Sequence, residues 1–551
     1  MAFFYPIQQS FFFSSNSRMK ELPFLDDFLL FLEESGVGEI IKCEIPIYKE
    51  GRRPYDPYKL FAAIIYGFSK HSGTLRKIEE SIIYDVRFMY ILGDEIPSYV
   101  TISKFLNNVV VKRQKEIFIC ITNQLIKQFD IDIEDVFIDG SKFEANANKY
   151  KFVWKPVTFH KRLNEKIREL LLKYFEVPNR KMLFTSKEIG EYLSLLGERS
   201  YKSGVEIKSG KGHKLNDDIR DYLLLNKFLL KVLEYEEKES ICGKNRNSYY
   251  KTDKDATAMC LKEDYYSGLG SNMHAGYNVQ IAVSKGIILD YYVGQDRTDS
   301  PTFIPFLDQI KQDYGYFPKN VCADAGYGSV KNYEYLNVNQ IGNYVKYNSW
   351  KKEIRGKLLE LFSFNKNEEL VCLNGKVAKE YATYNGRHAK GKNCSFFLIE
   401  DCSRCKYKEY CNRTVKEKTK NQRVFETSKM YHKYKAIAQA NLLSTKGIEL
   451  RVNRSSQVEG AFGVIKQDME YDRIRRRGID KVTTEIMLII LGYNIRKLFK
   501  LFDGTAKMDY WIAPPTLTAE ELPKINIEKL IKQKPKKKSV NEIAKQRKKK
   551  K

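Results

Sequence analysis

Along the first quarter of the chain, apolar residues recur at helical spacing. In "YDPYKLFAAIIYGFSKHSGTLRKIEES", Leu60, Ile64 and Phe68 fall at i, i+4 and i+8 and mark one apolar helical face. Ser72-Gly73 breaks the pattern and Thr74 is placed to cap the next helix. Another helix begins after Pro97, with Thr101 or Ser103 as its candidate cap. Residues from about Leu22 to Lys127 therefore read as helices. At "DVFIDG" the period changes: a short apolar run ends at Asp139 and Gly140, which predicts a strand and a turn. Lys161 to Glu239 reads as helical again, with Leu170, Leu171 and Leu172 and later "YLLLNKFLLKVLEY". "HAGYNVQIAVSKGIILDYYVGQD" predicts a hairpin about Ser284-Lys285-Gly286. A helix of about twelve residues follows Ser300-Pro301, and "NVCADAGYGS" predicts a second strand ending in Asp. Strand, hairpin, helix and strand in this order imply a mixed α/β sheet with a right-handed crossover into the last strand.

After a Lys-rich, Cys-containing stretch from Ser349 to Thr445, a strong helix returns at "SSQVEGAFGVIKQDMEY". Val458, Phe462, Ile465 and Met469 form its core stripe, with Glu459 at the margin of that stripe. The end, "KQKPKKKSVNEIAKQRKKKK", has almost no apolar content and reads as a disordered charge run. The expected organisation is a helical domain over 1–130 and the first part of an α/β domain over 131–348, with a helical insertion at about 156–250. A Cys-rich insertion over 349–445, the rest of the α/β domain over 446–505 and a basic tail over 506–551 follow.

Composition narrows the function classes. A net charge of +26 on 551 residues attracts polyanions and points to nucleic acid as the partner. Lys104, Lys112 and Arg113 in the N-terminal helices favour a helix-turn-helix-like DNA reader over a purely structural domain. "IMLIILGY" is far shorter than the roughly 20 apolar residues that cross a bilayer, so no membrane partner is expected. The start, "MAFFYPIQQSFFF", lacks a basic n-region and a small-residue cleavage site, so a cytoplasmic protein is expected. Ten cysteines are too sparse for a disulfide framework; Cys43, Cys120, Cys260 and Cys322 read as buried small hydrophobes.

Two patterns carry chemistry. Asp139 and Asp324 each end an apolar strand, and a sheet can set two such tips side by side; with Glu459 they would make an all-oxygen site for a pair of hard divalent cations. Asp253, Asp255, Asp296 and Asp299 around the hairpin read as turn and cap residues. The second pattern is "CSRCKYKEYC", where Cys402, Cys405 and Cys411 offer three thiolates at zinc-site spacing. Cys372 in "LVCLNGK" is preferred as the fourth ligand, with Cys394 and His388 as alternatives.

The chain resembles the bacterial insertion-sequence DDE transposases, with an RNase H-like catalytic domain. The resemblance is carried by "PSYVTISKFLN" and the helical segment before it, "FIDGSKFEANANKYKFVWK", "HAGYNVQIAV", "ADAGYGSVKNYEYL" and "RSSQVEGAFGVIKQDMEYDRIRRRGIDKVTTEIMLIILGYNIRKL", in that order. It implies that Asp139, Asp324 and Glu459 are the acidic triad, holding two Mg²⁺ or Mn²⁺ ions, and that Lys466 steadies a phosphate. Related transposases carry a Tyr-Arg-Glu-Lys signature; this chain keeps the Glu and the Lys. The Arg position, four residues before the Glu, is Ser455, with Arg451 and Arg454 close by, and the Tyr is absent. The resemblance also implies cleavage at transposon ends, strand transfer into target DNA, a structural Zn²⁺ in the Cys-rich insertion, a homodimer in the synaptic complex and a nucleoid-associated location. In this reading Lys142, Lys149, Lys151 and Trp154 line the path of a DNA strand, and Lys104, Arg454, Arg475 and Arg476 add DNA contacts. Two other readings are an RNase H-like nuclease that only cuts and a non-catalytic DNA-binding protein derived from a transposase.

Overall fold

The computed structural model describes residues 24–45, 54–70, 74–93, 95–131, 133–177, 183–202, 216–261, 273–381, 383–384, 387–388, 394–411, 421–502 and 520–523. Of the expected basic tail, 506–551, only residues 520–523 are among them. No helix among the described residues is long and apolar enough to cross a membrane.

The N-terminal helices are α1 (Phe24–Glu34), α2 (Val37–Lys42), α3 (Pro57–Lys70), α4 (Leu75–Tyr84), α5 (Val86–Leu92), α6 (Tyr99–Phe105) and, after a wide π turn at Leu106–Val110, α7 (Val111–Gln128). Thr74 caps α4 as its sequence position predicts, accepting the N–H of Lys77. Helix α6 departs from expectation: Ser98, extended directly after Pro97, accepts the N–H of Thr101 and starts the helix before Thr101 or Ser103 can. The apolar face of α3 is wider than the pattern implied, since every residue from Leu60 to Ser69 is buried.

The main sheet holds β1 (Asp135–Glu144), β4 (Thr257–Cys260), β5 (Met273–Ser284), β6 (Ile287–Gly294), β7 (Asn320–Ala323) and β8 (Gly342–Asn343). Its order is β4-β5-β1-β7-β8, with β6 also paired to β5. The β5–β6 hairpin turns at Lys285 and Gly286, with φ of 46° and 81°, the left-handed pair that a two-residue turn requires. A 3₁₀ turn at Ser300–Thr302 leads into α11 (Phe303–Tyr314), which carries the chain to β7, and α12 (Val330–Val338) joins β7 to β8. Between β1 and β4 a short antiparallel pair, β2 (Phe152–Trp154) and β3 (Ser248–Tyr250), brackets a helical insertion. Its helices α8 (Val157–Leu171), α9 (Ser186–Lys202) and α10 (Asp217–Cys242) close on a core of their own, with Ile167, Leu171, Leu196 and Leu225 at its centre.

Beyond β8 the chain forms a second small unit. Strands β9 (Phe362–Phe364) and β10 (Leu370–Cys372) pair as a hairpin, and β11 (Lys379–Tyr381), β12 (Ser395–Ile399) and β13 (Arg423–Thr427) form a three-stranded sheet. Phe362 stacks on Phe425 at 3.8 Å between them. Helices α13 (Lys429–Leu443) and α14 (Thr445–Arg454) follow, then two π turns at Ser455–Glu459 and Val464–Asp468 on either side of one short helical turn, and finally α15 (Ile479–Phe502). Val458, Phe462, Ile465 and Met469 are all buried, as the stripe predicts.

One core runs from Leu25 in α1 through the sheet to Phe499 in α15. Helix α15 lies so close to α3 that a Cβ at Gly492 would sit 2.7 Å from the backbone of Phe68. On its other side Asn494 bonds both the N–H and the carbonyl of Ile288, at 3.0 and 2.9 Å, which satisfies backbone groups of β6. Lys115 of α7 reaches Asp290 of β6 at 2.5 Å and Asp313 of α11 at 2.7 Å. The N-terminal helices are thus tied to the sheet by both apolar and ionic contacts. Among the cysteines expected inside, Cys322 is buried and Cys120 half-buried, but Cys43 and Cys260 are exposed. Cys43 caps the end of α2 and Cys260 is the last residue of β4.

Candidate active site

Strands β1 and β7 run parallel and in register, with Ile138 opposite Ala323. The next residue of each is an aspartate, so Asp139 and Asp324 leave neighbouring strands at matched positions, on strands about 4.8 Å apart. Gly140 follows Asp139 because nothing larger fits: a Cβ there would lie 2.2 Å from the side-chain nitrogen of Gln280, on the antiparallel neighbour β5. The Gly140 N–H donates back to Asp139 at 2.9 Å and helps to orient the carboxylate.

Glu459 arrives from the other side, at the end of the first π turn after α14. Five residues apart on an α-helix, Arg454 and Glu459 would point about 140° apart. The wide turn removes most of that angle, and π turns of this kind recur at functional sites. The Arg454 guanidinium donates to Glu459 and to Asp139, at 3.0 Å each, and its nearer nitrogen lies 4.0 Å from Asp324. Three carboxylates from two strand tips and one helix therefore converge on a single guanidinium. Ser455 adds a hydroxyl to Glu459 at 3.1 Å, and Lys346, just past β8, lies 3.9 Å from Asp324.

The electrostatics follow from burial. Burial pushes the Asp139 carboxyl up; Arg454 pulls it back, and Asp324 adds to the rise. Burial lowers the Arg454 guanidinium, but Asp139 and Asp324 outweigh it and the group ends above its ordinary value. Lys346 is lowered by burial and then by Arg454. Behind the triad, the buried Gln280 amide donates to Asn278 at 3.0 Å and to Asp299 at 3.3 Å, while its oxygen accepts from Tyr327. This polar shelf went unread in the sequence, although Asn278 and Gln280 stand out as polar residues inside the apolar run of β5. Asp299 is part of it: it holds the N-cap place of the 3₁₀ turn, in keeping with its reading as a turn or cap residue, but its carboxylate makes no cap bond and accepts from Asn278 at 2.9 Å. Asp253 and Asp255 do act as caps, accepting the N–H groups of Gly478 and Ile479 at the start of α15.

Of the remaining predicted site residues, Lys466 donates to the carbonyl of Lys142 at 3.0 Å and lies 4.5 Å from the Phe143 ring, so it is anchored on β1 beyond Asp139. Lys142 reaches the carbonyl of Cys260. Lys149 and Lys151 are exposed, and Trp154 is exposed with Arg297 over its ring at 5.8 Å. Lys104 is exposed on α6. Arg475 is exposed beside the Tyr471 ring, whereas Arg476 is half-buried and donates to Asn107 of the π turn before α7. Arg454, expected to face DNA, is instead 5% exposed among the carboxylates.

The Cys-rich unit brings its four candidates together. Cys372, at the end of β10, lines one cavity with Cys402, Cys405 and Cys411. Burial raises the Cys402 and Cys411 thiols, and the neighbouring cysteines raise both further. Cys394 does not line this cavity, and the His388 side chain lies outside the described residues. Among the described residues no group of three or more His, Cys, Asp or Glu side chains is arranged to hold a metal ion as it stands. The four thiols share a cavity without closing on a point, and the three carboxylates close on Arg454. As donor sets, though, an all-oxygen triad suits Mg²⁺ or Mn²⁺ and four cysteines suit Zn²⁺.

Residues 371–499 match the family model of the transposase DDE domain, and residues 20–108 match that of a second transposase domain. The two matches support an insertion-sequence DDE transposase. The first match spans the cysteine cluster, Glu459 and Lys466; the second covers α1 to α6. Asp139 and Asp324 lie between the two matches and are covered by neither. The multidomain α/β architecture is that expected for such a protein, and no curated protein matches the chain.

Proposed function

We propose that Asp139, Asp324 and Glu459 are the catalytic carboxylates of this transposase, which hold two divalent metal ions and support cleavage at transposon ends followed by strand transfer. The observation that carries this reading is the convergence of three carboxylates, from adjacent in-register strand tips and a π turn, within reach of one guanidinium. A divalent metal, when bound, supplies Lewis-acid stabilisation of charge on the phosphate. The protein's own part is to fix the oxygens. In-register strand ends set Asp139 and Asp324, the Gly140 N–H orients Asp139, and Ser455 holds Glu459. Lys466, tethered to β1, is placed to steady a phosphate, and the exposed Lys149, Lys151 and Trp154 favour a strand path beside β2. Strand β2 also borders a groove lined by Phe152, Phe159, Tyr235 and Lys231, with Lys231 ion-paired to Glu234, where the rings suit base stacking. Lys104 on α6 is assigned to end recognition, Cys372, Cys402, Cys405 and Cys411 to a structural zinc, and a homodimer to the synaptic complex. Asn removes a ligand's charge while nearly preserving its shape. Asp139→Asn, Asp324→Asn and Glu459→Gln are therefore expected to lose cleavage of end-containing DNA in Mg²⁺ and to keep end binding. Near wild-type cleavage by any one of them removes that residue from the site.

A further inference from the structure

The predicted DNA contact Arg454 is spent inside the triad, and its setting gives it another role. Its side chain is 6% exposed, whereas the side chains it binds are 21% exposed at Asp139 and 56% at Glu459. The cation thus lies beneath the carboxylates and draws them inward from the protein side. Its two terminal nitrogens take Asp139 and Glu459, and its Nε is buried with no hydrogen-bond partner among the described atoms. A guanidinium locked into a permanent structural role would be expected to satisfy that donor as well. Ser455, where the family signature would put its arginine, carries no charge, and the cation next to it, Arg454, lies under the triad.

Guanidinium and divalent cation compete for the same oxygens. Three carboxylates this close repel one another, and a buried unit of positive charge both gathers them and opposes any further cation brought to them. We propose that Arg454 is a built-in counter-cation that gathers the Asp139–Asp324–Glu459 triad and is displaced from at least one carboxylate when divalent metal binds, so that it sets the metal concentration at which the site loads. This rests on the triad being the metal site. It makes Arg454 a positioning residue that acts through the carboxylates and need not touch DNA.

The test is Mn²⁺ binding to full-length, chelator-treated protein, followed by electron paramagnetic resonance of free Mn²⁺ and by calorimetry. Arg454→Gln removes the competing charge at similar length, and Mn²⁺ affinity is expected to tighten by about tenfold or more. The same variant is expected to melt lower than wild type in chelator, with carboxylate repulsion unrelieved, and to gain more than wild type from added Mn²⁺. A merely structural arginine predicts the opposite sign, a looser metal site. If Arg454→Gln does not fold, Arg454→Met decides: it also removes the charge at similar length, so tighter Mn²⁺ binding is again expected. Unchanged or weaker binding in the folded variant, with wild-type binding abolished by Asp139→Asn, overturns the role of Arg454 and leaves the triad standing. No Mn²⁺ binding by wild type or variant would remove the metal site and this role with it.

Discussion

Gly140→Ala tests whether the strand tip is built as described. The new Cβ would lie 2.2 Å from the Gln280 side-chain nitrogen, and ordinary contact begins at 3.4 Å, so the amide must retreat by about 1.2 Å. An exposed glutamine would simply swing away. Gln280 is fully buried, and its nitrogen holds Asn278 at 3.0 Å and Asp299 at 3.3 Å while its oxygen holds Tyr327. Moving it breaks one or two of these bonds and leaves buried polar groups unpaired, at about 1–3 kcal/mol for each group. A destabilisation of about 2–4 kcal/mol is expected, well above a neutral glycine-to-alanine change in a strand, which would if anything stabilise. The assay is urea denaturation of the full-length protein, run as a cycle with Gln280→Ala. Gln280→Ala alone loses the same bonds but opens the space, so adding Gly140→Ala to it should cost little. The expected coupling exceeds about 1 kcal/mol, as for residues in direct contact. Wild-type stability for Gly140→Ala, or additive effects in the double mutant, refutes the steric account of the Asp-Gly motif.

If Cys372, Cys402, Cys405 and Cys411 close on zinc, protein purified without chelator carries one equivalent by elemental analysis, and Cys405→Ser loses it and loosens the unit; protein free of zinc ends that assignment. Asp290 faces Lys115, Asp313, Gln309 and Tyr314, and complete burial, partly offset by Lys115, raises it to about 7 from 3.8. Between those values the folded protein keeps a proton that the unfolded chain releases, so stability relative to Asp290→Asn is expected to fall as pH rises from about 4 to about 7. A pH-independent difference in denaturation midpoint refutes this. Deleting Lys532 to Lys551, with eleven cations against one Glu, is expected to flatten the salt dependence of non-specific duplex binding, since each phosphate contact contributes a slope of about −0.9. Equal slopes mean that the tail touches no phosphate.

How much of this was legible in the sequence depends on whether the signal was local. The hairpin turn at Lys285-Gly286, the helix after Pro301 and the stripe from Val458 to Met469 are set by turn chemistry and periodicity, and the chain adopts them where the pattern places them. Asp139 and Asp324 were legible as strand ends because an apolar run that stops at Asp and Gly is itself local. What joins them is not. The in-register pairing of Ile138 with Ala323 links residues 185 apart, and no spacing rule reports it. The bonds of the Asp299 carboxylate were not legible for the same reason: the two amides it accepts come from β5, not from the turn in which it sits.

Arg454 shows the limit most clearly. A periodic reading treats the segment from Ser455 to Tyr471 as one regular helix, on which Arg454 and Glu459 diverge. The π turn adds a residue to one turn and brings them together, and its physical basis lies outside the segment. Gln457, buried on the other face of the turn, accepts the Gly286 N–H of the β5–β6 hairpin, and Val458 is buried in the sheet's core. Holding both inward while Arg454 and Glu459 face Asp139 is easier in a wide turn than in a regular one, because the wide turn shifts register without ending the helix. The helix is therefore shaped by what the sheet presents to it. The same contacts give the triad its stiffness. The turn that carries Glu459 is held from behind by a hairpin and a core valine, which sets its carboxylate beside the two strand tips.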